Sequence, residues 1–395
     1  MNGEAERGKT AVVLSGGGAK GAYEVGVLKA LINGESPSTG FRPIEPEIYT
    51  GTSVGAYNAT IMASQPGARA GETVDYLERL WLERIAQVPV VCGSGIFRLR
   101  GFEALNPFCL LNPVAYAAHL VGDTVYLSAQ AVEHAARFVA SDATAAGRFL
   151  ESVDVSAFID PEPLRQLVEE TVDLDDLARA PQRLVVTASN WELGTPRVFD
   201  KREIVERVGG AAILASMAIP GIYPPVEIDN MDFVDGGVLM NTPLKPAIAK
   251  GADVLHVVFL DPLVQNSDLR LTTFDALART YAIITANQVR NDLLKAALIN
   301  RGIELLERLE RGEAISDRPG NLAALGRAGS ILRRRSSGER PRRKLVIHSY
   351  RPPRDLGGST AVLDFHRQQL ESMIRQGYED AVSHRCSNET CVVVN

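Results

Sequence analysis

Short uninterrupted apolar runs that stop at glycines recur along the chain, each followed by a segment with apolar residues every three or four positions. "KTAVVLS" (9–15) reads as a fully buried strand, and "AYEVGVLKALI" (22–32) as a helix with Tyr23, Val27, Ala30 and Leu31 on one face. A polar stretch rich in Pro, Ser and Gly (33–46) leads to a short strand, "EIYTG", and a second helix, "VGAYNATIMAS". Strand, glycine turn and helix, repeated, is the pattern of an α/β protein with parallel strands.

Further along, helices are expected over 72–88, 112–150 and 161–172, and strands over 183–190 and 195–200. The small-residue segment "GAAILASMA" reads as a helix, and "PPVEIDN" with "MDFVDGG" as a strand hairpin or paired edge strands. "ADVLHVVFL" (252–260) is a buried strand, 273–311 is mostly helical, and 316–343 is polar and loosely ordered. "KLVIHSYRP" supplies a last strand and "AVLDFHRQQLESMIRQGYEDAV" a last helix. Strands from both ends of the chain fit one sheet. We therefore expect a single domain over 9–385, with a helical insertion or lid at 90–150, a basic excursion at 315–343, and tails at 1–8 and 386–395.

Composition changes little. With 395 residues, 45% hydrophobic and 23% charged, the chain is long enough for a large core and ordinary for a globular protein. A net charge of −6 argues against a general nucleic-acid binder. The opening "MNGEAERGKT" has no apolar core of a secretory signal, and no run approaches the roughly eighteen apolar residues of a membrane span. A cytoplasmic protein, with peripheral membrane contact at most, is the expectation. Cys92, Cys109, Cys386 and Cys391 show no C-x-x-C pair and no zinc spacing. They read as buried or incidental thiols, with a Cys386–Cys391 disulfide as the alternative.

The candidate chemistry sits at two turns. Gly51-Thr52-Ser53-Val54-Gly55 is a G-x-S-x-G between a strand and a helix, a placement that pushes a serine Oγ out of the sheet. Its glycines remove Cβ atoms that would clash, and the helix behind it turns its positive end to the site. The earlier loop, Gly16 to Gly21, satisfies G-x-G-x-x-G. A dinucleotide reading needs an acid at the end of the next strand, and that strand ends instead in Gly51, Thr52 and Ser53. A Walker loop fails because Lys20 is followed by Gly21 and Ala22. What remains is a set of backbone N–H donors on Gly16, Gly17 and Gly18, aimed at a developing oxyanion.

A serine needs a base. His119, His134, His256, His348, His366 and His384 lie in strands, helices or the tail, without turn punctuation. Asp235 ends a strand and is followed by Gly236 and Gly237, as a serine's partner or as a simple Asp-Gly hairpin turn.

Three segments resemble the patatin-like phospholipase family: "SGGGAKGAYEVGVL", "GTSVGAYNA" and "ASMAIPGIYPPVEIDNMDFVDGGVLMNTPL". Weaker likenesses follow in order, so the resemblance spans roughly 9–385. It implies a three-layer α/β/α fold with a mainly parallel sheet. It further implies a phospholipase A or lysophospholipase type of lipid acyl hydrolase using a serine–aspartate dyad, without cofactor, metal or catalytic histidine. Ser53 is then the nucleophile, Asp235 the base, and Gly16, Gly17 and Gly18 the oxyanion donors. Gly21, Gly51, Gly55, Gly236 and Gly237 are supporting turn residues. Lys20 orients the loop or receives a phosphate head group; otherwise it is a solvated lysine in a first helical turn. The expected partner is a phospholipid or other acyl ester, with no nucleic acid.

Two accessory features bear on the lipid. Phe97, Phe102, Phe108, Leu110 and Leu111 lie on glycine- and proline-broken backbone and suit a lid or a small separate core. "RRRSSGERPRRK" (333–344) has seven basic residues against one acid, fitting an anionic bilayer or a solvated loop. Two other functions stay open on the residues alone: a Ser–His–Asp esterase or acyltransferase, and a non-catalytic lipid-binding scaffold of the same fold.

Overall fold

The computed structural model describes residues 9–64, 69–87, 95–100, 113–140, 159–262, 283, 293–294, 296–313, 344–357, 359–386 and 391–392. The basic run keeps only Lys344 within this set, ion-paired to Glu307 at 2.8 Å. Of the proposed apolar lip only Phe97 is included, packed edge-on against Phe365. The rest of both features, with Cys92 and Cys109, lies outside the described residues.

The first half of the chain follows the expected alternation. β1 (Lys9–Leu14) and a single tight turn (Gly18–Gly21) lead into α1 (Ala22–Ile32). β2 (Ile48–Thr52) then leads directly into α2 (Val54–Ala63). α3 (Ala70–Arg79) runs on into a wider turn at Leu80–Ile85. A two-stranded patch, β3 (Arg98–Leu99) with β4 (Ile159–Asp160), flanks α4 (Pro113–Ala140). Arg98 anchors that helix through both carboxylate oxygens of Asp123, at 2.7 and 2.9 Å, while also holding Asp160. α5 (Glu162–Thr171) and α6 (Leu174–Arg179) complete this half.

The second half supplies β5 (Arg183–Asn190), β6 (Thr195–Asp200), α7 (Ala211–Met217), β7 (Val226–Ile228) and β8 (Met231–Asp235). α8 (Leu244–Ala249), β9 (Ala252–Val258), α9 (296–310), β10 (Val346–Tyr350) and α10 (Arg367–Val382) follow. The last helix starts later than its periodicity predicts, because a separate tight turn occupies Ser359–Leu363.

One mixed sheet collects the main strands. β10, β9, β1, β2 and β5 are parallel neighbours in that order, while β6, β7 and β8 are antiparallel. Alternation along the strands sends side chains to opposite faces. Val12 and Leu14 join the larger core with α1, α2, α3 and α10, whereas Ala11 and Val13 join the smaller one with Leu244, Ala247 and Ala296. Helices on both faces of a mainly parallel sheet make three layers, as expected.

One detail of register positions the site. β6 pairs with β5 from Val185 to Asn190 and so occupies one edge of that strand. On the remaining edge, β2 pairs with residues 183–187 and β8 with 188–190, from opposite directions. β2 and β8 therefore meet head to head, Thr52 level with Thr187 and Asp235 level with Ala188.

Candidate active site

The head-on meeting of β2 and β8 brings together the two residues that the turns single out. Ser53 follows Thr52 into a sharp bend with φ 55° and ψ −129°, outside ordinary helix or strand backbone, before α2 begins. Both flanking glycines are forced by close approach. A Cβ on Gly51 would lie 2.1 Å from the Gly55 carbonyl oxygen, and one on Gly55 would lie 2.7 Å from the Leu14 carbonyl. Ser53 is 4% exposed.

Asp235 is 1% exposed, and its N–H donates to the Ala218 carbonyl at 2.8 Å. Burial pushes its carboxyl up from 3.8 to about 7, against hydrogen bonds from the Ser53 hydroxyl and the Gly237 N–H. The Gly237 N–H reaches Asp235 Oδ1 at 2.7 Å. Asp235 is thus a strand-end carboxyl. The tight turn of that hairpin lies at Asp229–Asn230, both with left-handed backbone.

The glycine loop borders the same point: a Cβ on Gly16 would come within 2.9 Å of Ser53 Cβ. The Gly16 N–H is itself engaged by the Asn241 carbonyl at 3.1 Å, so it is not available to a bound oxyanion. That narrows the expected set of donors to Gly17 and Gly18. The backbone at Gly18 is left-handed, with φ 56°.

Lys20 is not solvated. Its side chain is 6% exposed and its Nζ lies 2.9 Å from Asp261 and 3.4 Å from Asp355. Burial works against its charge, but the two carboxylates outweigh it and hold the lysine above its ordinary value. A cation already matched by two acids suits the loop-orienting role.

Three supporting residues were not singled out by sequence pattern. Ser216, on α7, accepts the Ser53 N–H at 2.8 Å and donates to the Thr187 carbonyl at 2.7 Å. Its neighbour Ala218 holds Asp235, so one helix end fixes both residues. Asn241 bonds the Gly16 carbonyl through Nδ2 at 3.2 Å, and its Oδ1 has no hydrogen-bond partner among the described residues. Glu24, fully buried in α1, accepts Asn58 Nδ2 at 2.9 Å, and Asn58 in turn accepts Trp81 Nε1. Each lies inside a quoted motif, but only the folded register shows what it touches.

His256, on β9, is buried, shares a 2.8 Å hydrogen bond with the Tyr350 hydroxyl and stacks on His348. Among the described residues, the hydrogen bonds of the Asp235 carboxyl come from Ser53 and Gly237, and none from a histidine.

The family model described as Patatin-like phospholipase matches residues 12–248, from the first strand through the glycine loop, the Ser53 turn and the Asp235 turn. Two solved structures are similar at 15% identity over 95% of this chain. VipD from Legionella pneumophila is covered over 66% of its chain with a TM-score of 0.39. The type III effector protein ExoU is covered over 78% with a TM-score of 0.23. Among the described residues, no helix is long and apolar enough to cross a membrane. The chain belongs to the patatin-like phospholipase family.

Proposed function

From that membership we propose that the chain is a lipid acyl hydrolase of phospholipase A or lysophospholipase type, working through Ser53 and Asp235. The observation that carries this reading is the Ser53 hydroxyl on a buried carboxyl, with Ser53 in a strained strand-to-helix bend. Asp235 accepts the hydroxyl proton as Ser53 Oγ attacks the ester carbonyl. The N–H groups of Gly17 and Gly18 receive the oxyanion, each such donor being worth about a hundredfold or more in rate. The alcohol leaves with the proton, and water activated by Asp235 then releases the fatty acid. An elevated carboxyl is a better base for a hydroxyl than an ordinary one.

Fatty-acid release from phosphatidylcholine and lysophosphatidylcholine vesicles, with fluorophosphonate labelling in parallel, tests this. Ser53→Ala is expected to abolish labelling and lower hydrolysis by about a thousandfold or more. A histidine-to-glutamine variant that loses as much as Ser53→Ala would replace the dyad with a triad. Native protein that neither labels nor hydrolyses would point to a lipid-binding scaffold.

A further inference from the structure

A group of residues that this chemistry leaves unused gathers at the β10 edge of the sheet. On β10, His348 lies opposite His256, their rings stacked with centroids 5.1 Å apart. Beyond the end of α10 the chain brings His384 over the same strand, its ring 4.7 Å from that of Tyr350. It then returns to pair with β10, Ile347 and Val392 exchanging N–H···O bonds of 2.7 and 2.9 Å. That pairing seats the buried Cys391 beside the strand.

One ligand atom from each of His348, His384, Cys386 and Cys391 lies within 4.8 Å of all the others. His348 Nδ1 is 3.2 Å from Cys386 Sγ; His384 Nε2 is 3.4 Å from Cys386 Sγ and 3.5 Å from Cys391 Sγ. A tetrahedral zinc ion, with bonds of about 2.3 Å to sulfur and about 2.0 Å to nitrogen, separates such N and S ligands by about 3.5 Å.

We propose that His348, His384, Cys386 and Cys391 form a Cys2His2 site for zinc. Two thiolates balance the charge of the ion, and their two protons go to solvent on binding, with no change of oxidation state. Four protein ligands fill the shell, which makes the site structural rather than hydrolytic. Four residues separate Cys386 from Cys391, a spacing that zinc sites use, while the histidines come from a strand and from the end of a helix. The Ser349 N–H points to Cys391 Sγ at 3.4 Å, the kind of outer hydrogen bond that steadies a bound thiolate. The ion ties the end of α10 and the returning tail to the edge strand. On this proposal Cys386 and Cys391 are ligands rather than the incidental thiols that their spacing suggests. Cysteine spacing alone misses the site, because half of its ligands are histidines and one of them lies some forty residues upstream, on β10.

The test uses full-length protein purified under reducing conditions, with metal content measured by mass spectrometry and the stripped protein titrated with Co2+. About one zinc per chain is expected, and Co2+ should give tetrahedral visible bands with thiolate charge transfer. Cys386→Ser and Cys391→Ser should lose both signals, while Cys92→Ser and Cys109→Ser keep them. Reduced wild-type protein that takes up neither ion overturns the site, independently of how the variants fold. So does a Co2+ spectrum without thiolate bands, or a Cys386–Cys391 disulfide that persists in reductant.

Discussion

The Ser53–Asp235 site and the β10 edge are both made of residues far apart in the chain, yet only the first is announced by local pattern. At Ser53 the demand is on the backbone: a strand must bend at once into a helix, with Gly51 and Gly55 nearly touching. Backbone demands of that kind are met by glycine, and they leave a compact signature. At the β10 edge the demand is on side chains alone, which a register and a returning tail can satisfy from any spacing. Constrained backbone is legible one segment at a time, and converging side chains are legible only in three dimensions.

The largest effect expected after Ser53→Ala separates chemistry from stability at the first region. Asp235→Asn removes the base and should lower hydrolysis by about a hundredfold or more. The sign for stability is opposite. A carboxyl raised from 3.8 to about 7 binds its proton more tightly when folded, so its ionisation costs stability progressively as pH rises through that interval. Asn carries no such cost. Thermal melts should show Asp235→Asn gaining on wild type between pH 4 and 7 and keeping the gain above, with zinc content unchanged. Wild-type kcat/KM should climb with pH and reach half its plateau near 7, because the base must be ionised. A profile flat through neutrality would break the assignment of Asp235 as base.

A smaller effect is expected one step back, at Ser216. Ser216→Ala leaves the buried Ser53 N–H without its acceptor, costing about 1–3 kcal/mol of stability. It loosens the bend and leaves the dyad intact. We expect kcat to fall by about tenfold with KM nearly unchanged. Equal losses in kcat and in melting stability from an unrelated buried serine that also loses a hydrogen bond, such as Ser64→Ala, would show that Ser216 acts only through folding.

The same contrast accounts for what the sequence made legible. Apolar runs and glycine punctuation place β1, β2, β5 and β9 in a mainly parallel sheet, because buried parallel strands must be apolar along their whole length. They place Ser53 and Asp235 at strand ends for the same reason that they place the glycines. They do not show that β2 and β8 share one edge of β5, since pairing partners leave no local trace. Lys20 illustrates the limit: beside a glycine turn it resembles a surface lysine, and only Asp261 and Asp355, from the second half of the chain, match its charge where it is buried. Periodicity starts the last helix too early because "AVLDF" has apolar spacing that suits a tight turn as well as a helix.

Glu24 gives the smallest and most specific contrast. It lies one helical turn beyond the glycine loop, entirely buried, in a position where a charged acid would be costly. Burial pushes its carboxyl well above its ordinary 4.5, opposed by the Asn58 amide and the Ser15 N–H. The folded state therefore favours the protonated acid, and the stability this contributes is lost progressively as pH rises from 4.5 to the elevated value. Glu24→Gln reproduces the shape of the protonated form and can still accept from Asn58. Below about pH 4, where the unfolded carboxyl is also protonated, its melting temperature should match wild type, and it should exceed wild type increasingly as pH rises above the ordinary 4.5. Its hydrolysis rate should stay within about threefold, since the loop keeps its support. A melting temperature that falls below wild type as pH rises would mean that Glu24 works as a carboxylate. The glycine loop would then rest on a buried charge, as the Lys20 end of the same loop does.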